Sequence, residues 1–356
     1  MRVLLLAPYP LRMIPSQRYR FEQYLSLFEA NGIEVEVRSL LDAETTKVLY
    51  RPGYVKEKVL SVLRGALGRV RDLVDARSFD VVFVHREAFP LGYPFIERAL
   101  AALGRPYIFD FDDAIYMTNT SAANRFIAPL KFAQKTEVIV KHAALITAGN
   151  PHLAAWAKAI NPNVMIIPTT IDTDIYQPKS VKKEGRLCVG WSGSSTTIAH
   201  LAPYAGLLRE LQKTFGVRLR IIGDPSFTIE GAEVESIPWR EETEFEDVKE
   251  IDIGIMPLPD EDWAKGKCGL KALQYMAAGI ATVMSPVGVN VEIAEGGAAM
   301  LASTFLDWEM TLAALLTDTA ARERLGANGR QRAEERYSVK ANLPLYLEAL
   351  HRAAKS

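Results

Sequence analysis

A chain of 356 residues is too long for one ordinary core and points to two domains. Hydrophobic residues at 49% and charged residues at 24% exclude a disordered or fibrous chain, and a formal net charge of -1 gives no reason to expect a nucleic-acid partner. Two cysteines, Cys188 and Cys268, exclude a disulfide framework and offer no metal-binding spacing. A reducing, cytosolic setting is the simplest reading of so little cysteine. The opening "MRVLLLAPYP" carries an apolar run too short for a signal peptide or a membrane span, and it reads as a first buried strand.

In chain order the periodicity predicts a strand at "RVLLLAP", a helix over "SQRYRFEQYLSLFEANG", a strand at "IEVEVRSLL", a basic amphipathic run from about Tyr54 to Arg77 and a strand at "DVVFVH". Next come a helix at "YPFIERALAALG", a strand at "PYIFDFD", a helix through "FIAPLKFAQKTEVIVKHA", a strand at "ALITAG", a helix at "PHLAAWAKAI" and a strand at "VMIIPTT". Gly32 and Gly104 close helices as C-cap residues. Short apolar strands alternating with helices predict a parallel sheet covered on both faces. The polar stretch "IDTDIYQPKSVKKEGR" interrupts the alternation, which resumes with strand "LCVGW", loop "SGSSTT", a helix carrying Leu201, Tyr204, Leu208 and Leu211 on one face, and strand "VRLRIIGD". "AEVESIPW", a helical run to Glu250 and strand "DIGIMPL" follow, ahead of a long charged C-terminal region. The fold class is therefore α/β, with two doubly wound Rossmann-like domains facing across a cleft: residues 1–168, a linker at 169–186, and residues 187–339. In such sheets ligands bind outside the carboxyl ends of the strands.

Two strand ends carry anion-binding chemistry. After "LCVGW", Gly193 permits a tight turn, and Ser194, Ser195 and Thr196 supply hydroxyls where a helix is expected to open; free amides there favour phosphate oxygens. The plainer alternative is that Ser195 or Thr196 caps that helix. The other is "GKCGLKALQYMAAGIATVMSP", where Cys268, Gly269 and Leu270 open a helix closed by Gly279. Lys267 and Lys271, four apart, fall on one helical face near its N-terminus, where cations oppose the positive end of the dipole. An anionic ligand such as a diphosphate resolves that conflict; a pair of solvated surface lysines is the competing reading.

The order and content of "FDFDDAIY", "ITAGNPHL", "IPTTIDTDIY", "GWSGSSTTIAHL", "DIGIMPLPDEDWAKGKCGLKALQYMAAGIATV" and "SPVGVNVEI" resemble the GT-B glycosyltransferases, and among them the retaining glycosyltransferase family 4 (glycosyl transferases group 1). The resemblance covers nearly the whole chain and is most specific from Asp252 to Val283. It implies a nucleotide-sugar donor on the C-terminal domain, an acceptor on the N-terminal domain and no bound metal or other cofactor. It also implies a final helix, about 340–356, that packs back on the first domain. In that family one helix carries two glutamates, the first approaching the transferred sugar and the second binding the ribose. Here those positions hold Gly266 and Gln274, whose amide can still bond ribose hydroxyls. Cys268 takes the family's aromatic position, and Gly269 matches its glycine. Trp239 stands where the nucleotide base packs, and Glu292 matches the glutamate of a loop close to the donor. The family's Arg and Lys clamp is missing from "SGSSTT", so Lys267, with Lys271, is expected to neutralise the departing diphosphate while the backbone of that loop cradles it.

On the acceptor side, Arg12, Arg18 and Arg20 gather near the end of the first strand, where they either hold an acceptor phosphate or lie solvated on a helix face. Asp110, Asp112 and Asp113 end another strand; Asp112 or Asp113 is expected to position acceptor hydroxyls or act as general base, with strand-end capping as the alternative. His85, and His152 with Asn150 near it, follow apolar strands as acceptor contacts or as structural hydrogen-bonders. The basic amphipathic run fits either a peripheral contact with an anionic membrane surface or the flank of the sheet. Together these readings describe a hexosyltransferase-like enzyme of cell-surface polysaccharide or glycoconjugate synthesis, acting on a glycan, lipid-linked or small-molecule acceptor in the cytoplasm or at the inner face of the membrane. The alternatives are a nucleotide-sugar epimerase or hydrolase of the same fold and a catalytically silent sugar-nucleotide-binding partner.

Overall fold

The computed structural model describes residues 1–49, 51, 53–117, 132, 134–178, 185–194 and 196–356. They form two compact units, Met1–Thr169 with Asn342–Ser356, and Thr170–Ala341. Ser195, residues 179–184 of the expected linker and most of the predicted helix before residue 134 lie outside the described residues.

The first unit is built on β1 (Arg2–Ala7), β2 (Glu34–Ser39), β3 (Val81–His85), β4 (Tyr107–Phe111), β5 (Leu145–Ala148) and β6 (Val164–Ile166). They form one sheet in the order β2-β1-β3-β4-β5-β6, and every pairing is parallel. β3, β4 and β5 are buried along their whole length, as a sheet covered on both faces requires. The predicted helix after β1 is broken into Pro15–Arg20, a 3₁₀ turn at Glu22–Tyr24 and Leu25–Ala30, because Phe21 leaves helical backbone (φ -132) to bury its ring. The closing helix Val339–Ala354 brings Tyr346 into this unit, its ring 4.5 Å from that of Tyr24 and its hydroxyl donating to the Arg20 carbonyl at 2.5 Å.

The second unit contains β7 (Cys188–Ser192), β8 (Arg218–Ile222), β9 (Val234–Ile237), β10 (Ile253–Met256), β11 (Ala281–Met284) and β12 (Met300–Leu301), a short edge strand that the periodicity did not predict. Its order, β12-β11-β10-β7-β8-β9, is again fully parallel. One face of this sheet packs Trp191, Leu208, Leu219, Ile255 and Trp308; the other packs Ile222, Val248, Tyr275 and Ile280. In each unit the chain runs outward from its first strand and then returns to that strand's other side. The switch points, between β1 and β3 and between β7 and β10, are where strand ends diverge and ligands bind in doubly wound sheets.

Candidate functional site

At the second unit's switch point the chain leaving β7 does not enter a helix directly. Ile198–His200 and Ala202–Tyr204 are 3₁₀ turns, and the helix Ala205–Phe215 opens only after them. This corrects the expectation that Gly193, Ser194 and Thr196 stand at a helix N-terminus. The Ser194 and Thr196 hydroxyls bond each other at 2.8 Å, the Ser194 amide donates to Thr197 Oγ1 at 3.0 Å, and the Gly193 amide donates to Ile222 O at 2.9 Å. The loop is tied to itself and to β8. Gly193 is required for space: a Cβ there would run into the Trp191 ring and stand 2.8 Å from Thr197 Oγ1. Gly193→Ala should cost about 1–3 kcal/mol by overpacking, read as a lower thermal midpoint; an unchanged midpoint would count against this packing.

Beyond β10, the short helix Asp262–Lys265 leads through Gly266, Lys267 and Cys268 to Gly269, the left-handed (φ 72) N-cap of the helix Leu270–Ala277. A side chain on Gly269 would collide with Ile293, so glycine lets this helix mouth press against the helix Asn290–Ile293. Lys267 precedes the Leu270–Ala277 helix and does not share a face with Lys271, which lies in its first turn. Each lysine instead stands on an aromatic face. Lys267 Nζ is 3.6 Å from the centroid of Trp263, and Lys271 Nζ is 5.2 Å from that of Trp191. The Trp263 ring in turn lies 6.1 Å from His200. Burial, reinforced by the charge of Lys267, pushes the Lys271 ammonium down to about 8. Burial and the same two lysines lower His200. Cys268, half-buried, places its thiol 3.9 Å from the Gly266 carbonyl.

Gln274 does not face a ligand. It is buried, and its amide donates to Tyr176 Oη at 3.0 Å and to Glu244 Oε1 at 2.8 Å, which corrects its expected ribose contact. The same Glu244 oxygen accepts from Trp239 Nε1 at 2.9 Å, so Trp239 is held half-buried at the end of β9. Glu292, half-buried on Asn290–Ile293, accepts from the Tyr337 hydroxyl at 3.4 Å.

In the first unit the acidic strand end divides into two environments. Asp110 is fully buried and accepts from Arg20 through Nε and Nη2, from His85 Nδ1 at 2.8 Å and from Thr147 Oγ1 at 2.7 Å. Arg20 also donates to Ile167 O and is itself fully buried, so it cannot hold an acceptor phosphate. His85 is equally buried, its second nitrogen 2.9 Å from Ser16 Oγ, and Asn150 caps the helix Pro151–Lys158 by accepting from the Leu153 amide at 2.8 Å. All three are corrected from acceptor contacts to framework. Arg12, exposed in a left-handed turn (φ 70), and Arg18, half-buried over the Tyr19 ring, are separated from Arg20, which turns inward. Asp112 is half-buried and accepts from Ser16 Oγ at 2.8 Å and from Arg86 at 2.8 and 3.0 Å. Burial would raise its carboxyl, but Arg86, His85 and Arg20 outweigh that and hold it far below the usual carboxylate range, which suits holding a hydroxyl better than removing a proton. Asp113, half-buried beside it, accepts from the Ala114 amide at 3.0 Å.

No protein-family model matches the chain, and no curated protein matches it. Solved structures do. Sucrose-phosphate synthase from Thermosynechococcus elongatus superposes with a TM-score of 0.71 at 13% identity, covering 100% of both chains. A glycosyltransferase from Rickettsia africae gives 0.71 at 11% identity over 100% of this chain and 99% of its own. Anabaena HepE in complex with UDP gives 0.64 at 14% identity over 99% of this chain and 100% of its own. The fold is GT-B.

Within this GT-B chain the sequence reading missed Trp191, Trp263 and His200 in the second unit, and Ser16 and Arg86 in the first. A tryptophan in the lysine loop "DWAKGK" and another ending "LCVGW" were visible signals. That these separate segments place their rings under two ammonium groups was not. Chemically, the second unit's switch point offers two cations, a helix mouth and flat apolar faces. The first unit's offers an ionised carboxylate fixed between a serine and an arginine.

Proposed function

We propose that the protein is a glycosyltransferase of the retaining family 4 kind, moving a hexosyl group from a nucleoside-diphosphate sugar on the second unit to a glycan, lipid-linked or small-molecule acceptor on the first. Its place is cytoplasmic synthesis of cell-surface polysaccharide or glycoconjugate. The observation that carries this reading is the pair Lys267 and Lys271, seated on Trp263 and Trp191 at the mouth of the Leu270–Ala277 helix. Charge that develops on a departing diphosphate meets two fixed cations and the positive helix end, all in place before reaction. Such fixed cations can supply the charge stabilisation that a divalent metal gives elsewhere, which favours a mechanism with no metal or other cofactor. Trp239 offers a half-buried ring for the base, Glu292 a carboxylate near the same helix mouth, and Asp112 with Asp113 the acceptor hydroxyl contacts. The motifs from Asp252 to Val283 support the family 4 assignment. HepE's complex with UDP makes UDP the first nucleotide to try.

The test is a thermal-shift series with UDP, GDP, dTDP, ADP and CMP, followed by nucleotide release from the matching sugar donor with and without acceptor. A nucleotide at about a hundredfold its Kd should add roughly 2.7 kcal/mol of stability. No shift with any nucleotide sinks the donor site. Acceptor-independent release of sugar would favour a hydrolase.

A further inference from the structure

The helix Val55–Asp75 is mounted inside out. A surface helix of a globular protein normally turns its apolar stripe to the core, but the buried side chains of this one are Lys58, Ser61, Arg69 and Asp72. Arg69 donates to Ala7 O at 2.7 Å, to Ala88 O at 2.8 Å and to Asp72 at 2.8 Å. Ser61 donates to Asp42 at 2.6 Å, and Lys58 to Arg51 O at 2.7 Å. Gly65 lets the backbone of Leu40 lie against the helix. Rotating the helix to bury its apolar face would strand these groups, so that face is fixed outward. It carries Val59, Leu63, Leu67, Val70 and Val74, which are 50%, 57%, 68%, 57% and 65% exposed. Successive spacings of three and four put them on one side of the helix.

We propose that this face lies on an anionic lipid bilayer surface. The charges around it select that occupant. Lys56, Arg64 and Arg71 are exposed on the helix, with Arg51 and Arg77 exposed at its two ends, while of its exposed acids Asp75 is already paired with Arg38 at 2.7 Å and Glu57 remains. A second copy meeting this face across a two-fold axis would bring like charges together; anionic headgroups complement them. Among the described residues no helix is long and apolar enough to cross a membrane, so the helix lies on the surface and does not span it. Its Arg69 anchor reaches the carboxyl end of β1, so the surface bound by the helix is tied to the first unit's switch point.

The proposal goes beyond glycosyl transfer, and its test needs no substrate. The purified chain is sedimented with phosphatidylcholine vesicles and with phosphatidylglycerol-containing ones. Binding is expected to the anionic vesicles alone and to fall with salt. Arg64→Gln with Arg71→Gln should lower partitioning by roughly thirtyfold, and Leu63→Glu with Leu67→Glu should abolish it. Because all four positions are exposed, far-UV circular dichroism and the thermal midpoint should stay as in the parent. A Leu67→Trp variant should show a blue-shifted emission on anionic vesicles. Equal binding to both vesicle types, binding that survives Leu63→Glu with Leu67→Glu, or a Leu67-dependent dimer in place of vesicle binding overturns the proposal.

Discussion

Replacing Asp110 by asparagine is expected to cost the first unit about 3–5 kcal/mol, the penalty of leaving one member of a buried ion pair uncompensated. Asparagine has nearly the same shape, so packing changes little. What changes is that Arg20, fully buried, loses its counter-charge, while an amide nitrogen must face the Arg20, His85 or Thr147 donors. Burial would raise the Asp110 carboxyl, but Arg20 and His85 outweigh it and hold it below the usual range. A carboxyl lowered on folding contributes stability that is complete above its unfolded value of about 3.9 and is lost as pH falls through the native one. The parent and Asp110→Asn should therefore converge in acid and differ most near neutrality. Urea unfolding and hydrogen exchange of the β4 and β5 amides measure the loss. A change below about 1 kcal/mol, the scale of an exposed pair, would contradict it. Asp110→Leu combined with Arg20→Met should recover part of the loss, since it removes both charges.

The contrast between Asp110 and Asp112 shows what the sequence could and could not disclose. The alternation of "VVFVH" and "YIFDF" with helical segments made the two parallel sheets legible, because strands buried on both faces are written as unbroken apolar runs. "FDFDD" announces carboxylates at a strand end, but which of them turns into the core depends on partners such as Arg20, His85 and Thr147 that come from other elements. In the same way "RYRF" reads as surface arginines until β4 brings Asp110 beneath the second of them. Over Val55–Asp75 the pattern revealed an amphipathic helix, but periodicity is indifferent to which side faces inward. That choice was made by the acceptors at Ala7, Ala88 and Asp42. The lysines at the helix mouth were legible because their position conflicts with the local dipole. The rings beneath them were not, since nothing local in "LCVGW" links Trp191 to Lys271.

That conflict yields the sharpest test of the donor site. Lys267→Ala or Lys271→Ala should each weaken nucleoside-diphosphate binding by on the order of 1.5–3 kcal/mol, the scale of a charged hydrogen bond, or about 10- to 150-fold in Kd. The two variants should differ in their dependence on pH. The groups around the Lys271 ammonium are Lys267, His200 and the Trp191 ring, and burial with Lys267 sets its midpoint at about 8. A diphosphate favours the charged form, so affinity should be highest below pH 8 and fall as pH rises through that value, with a proton taken up on binding near the midpoint. Without ligand the sign reverses. A lysine whose native value lies below its unfolded one leaves the unfolded chain with more protons between the two, so the free protein should gain stability as pH rises above 8. Calorimetry at several pH values, in buffers of different ionisation enthalpy, reads both affinity and proton uptake. Lys271→Ala should lose the pH slope along with the affinity, whereas Lys267→Ala should move the midpoint upward by removing the neighbouring positive charge. A slope that persists in Lys271→Ala would assign the titration to another group, and unchanged affinity in both variants would remove the cations from the proposed mechanism.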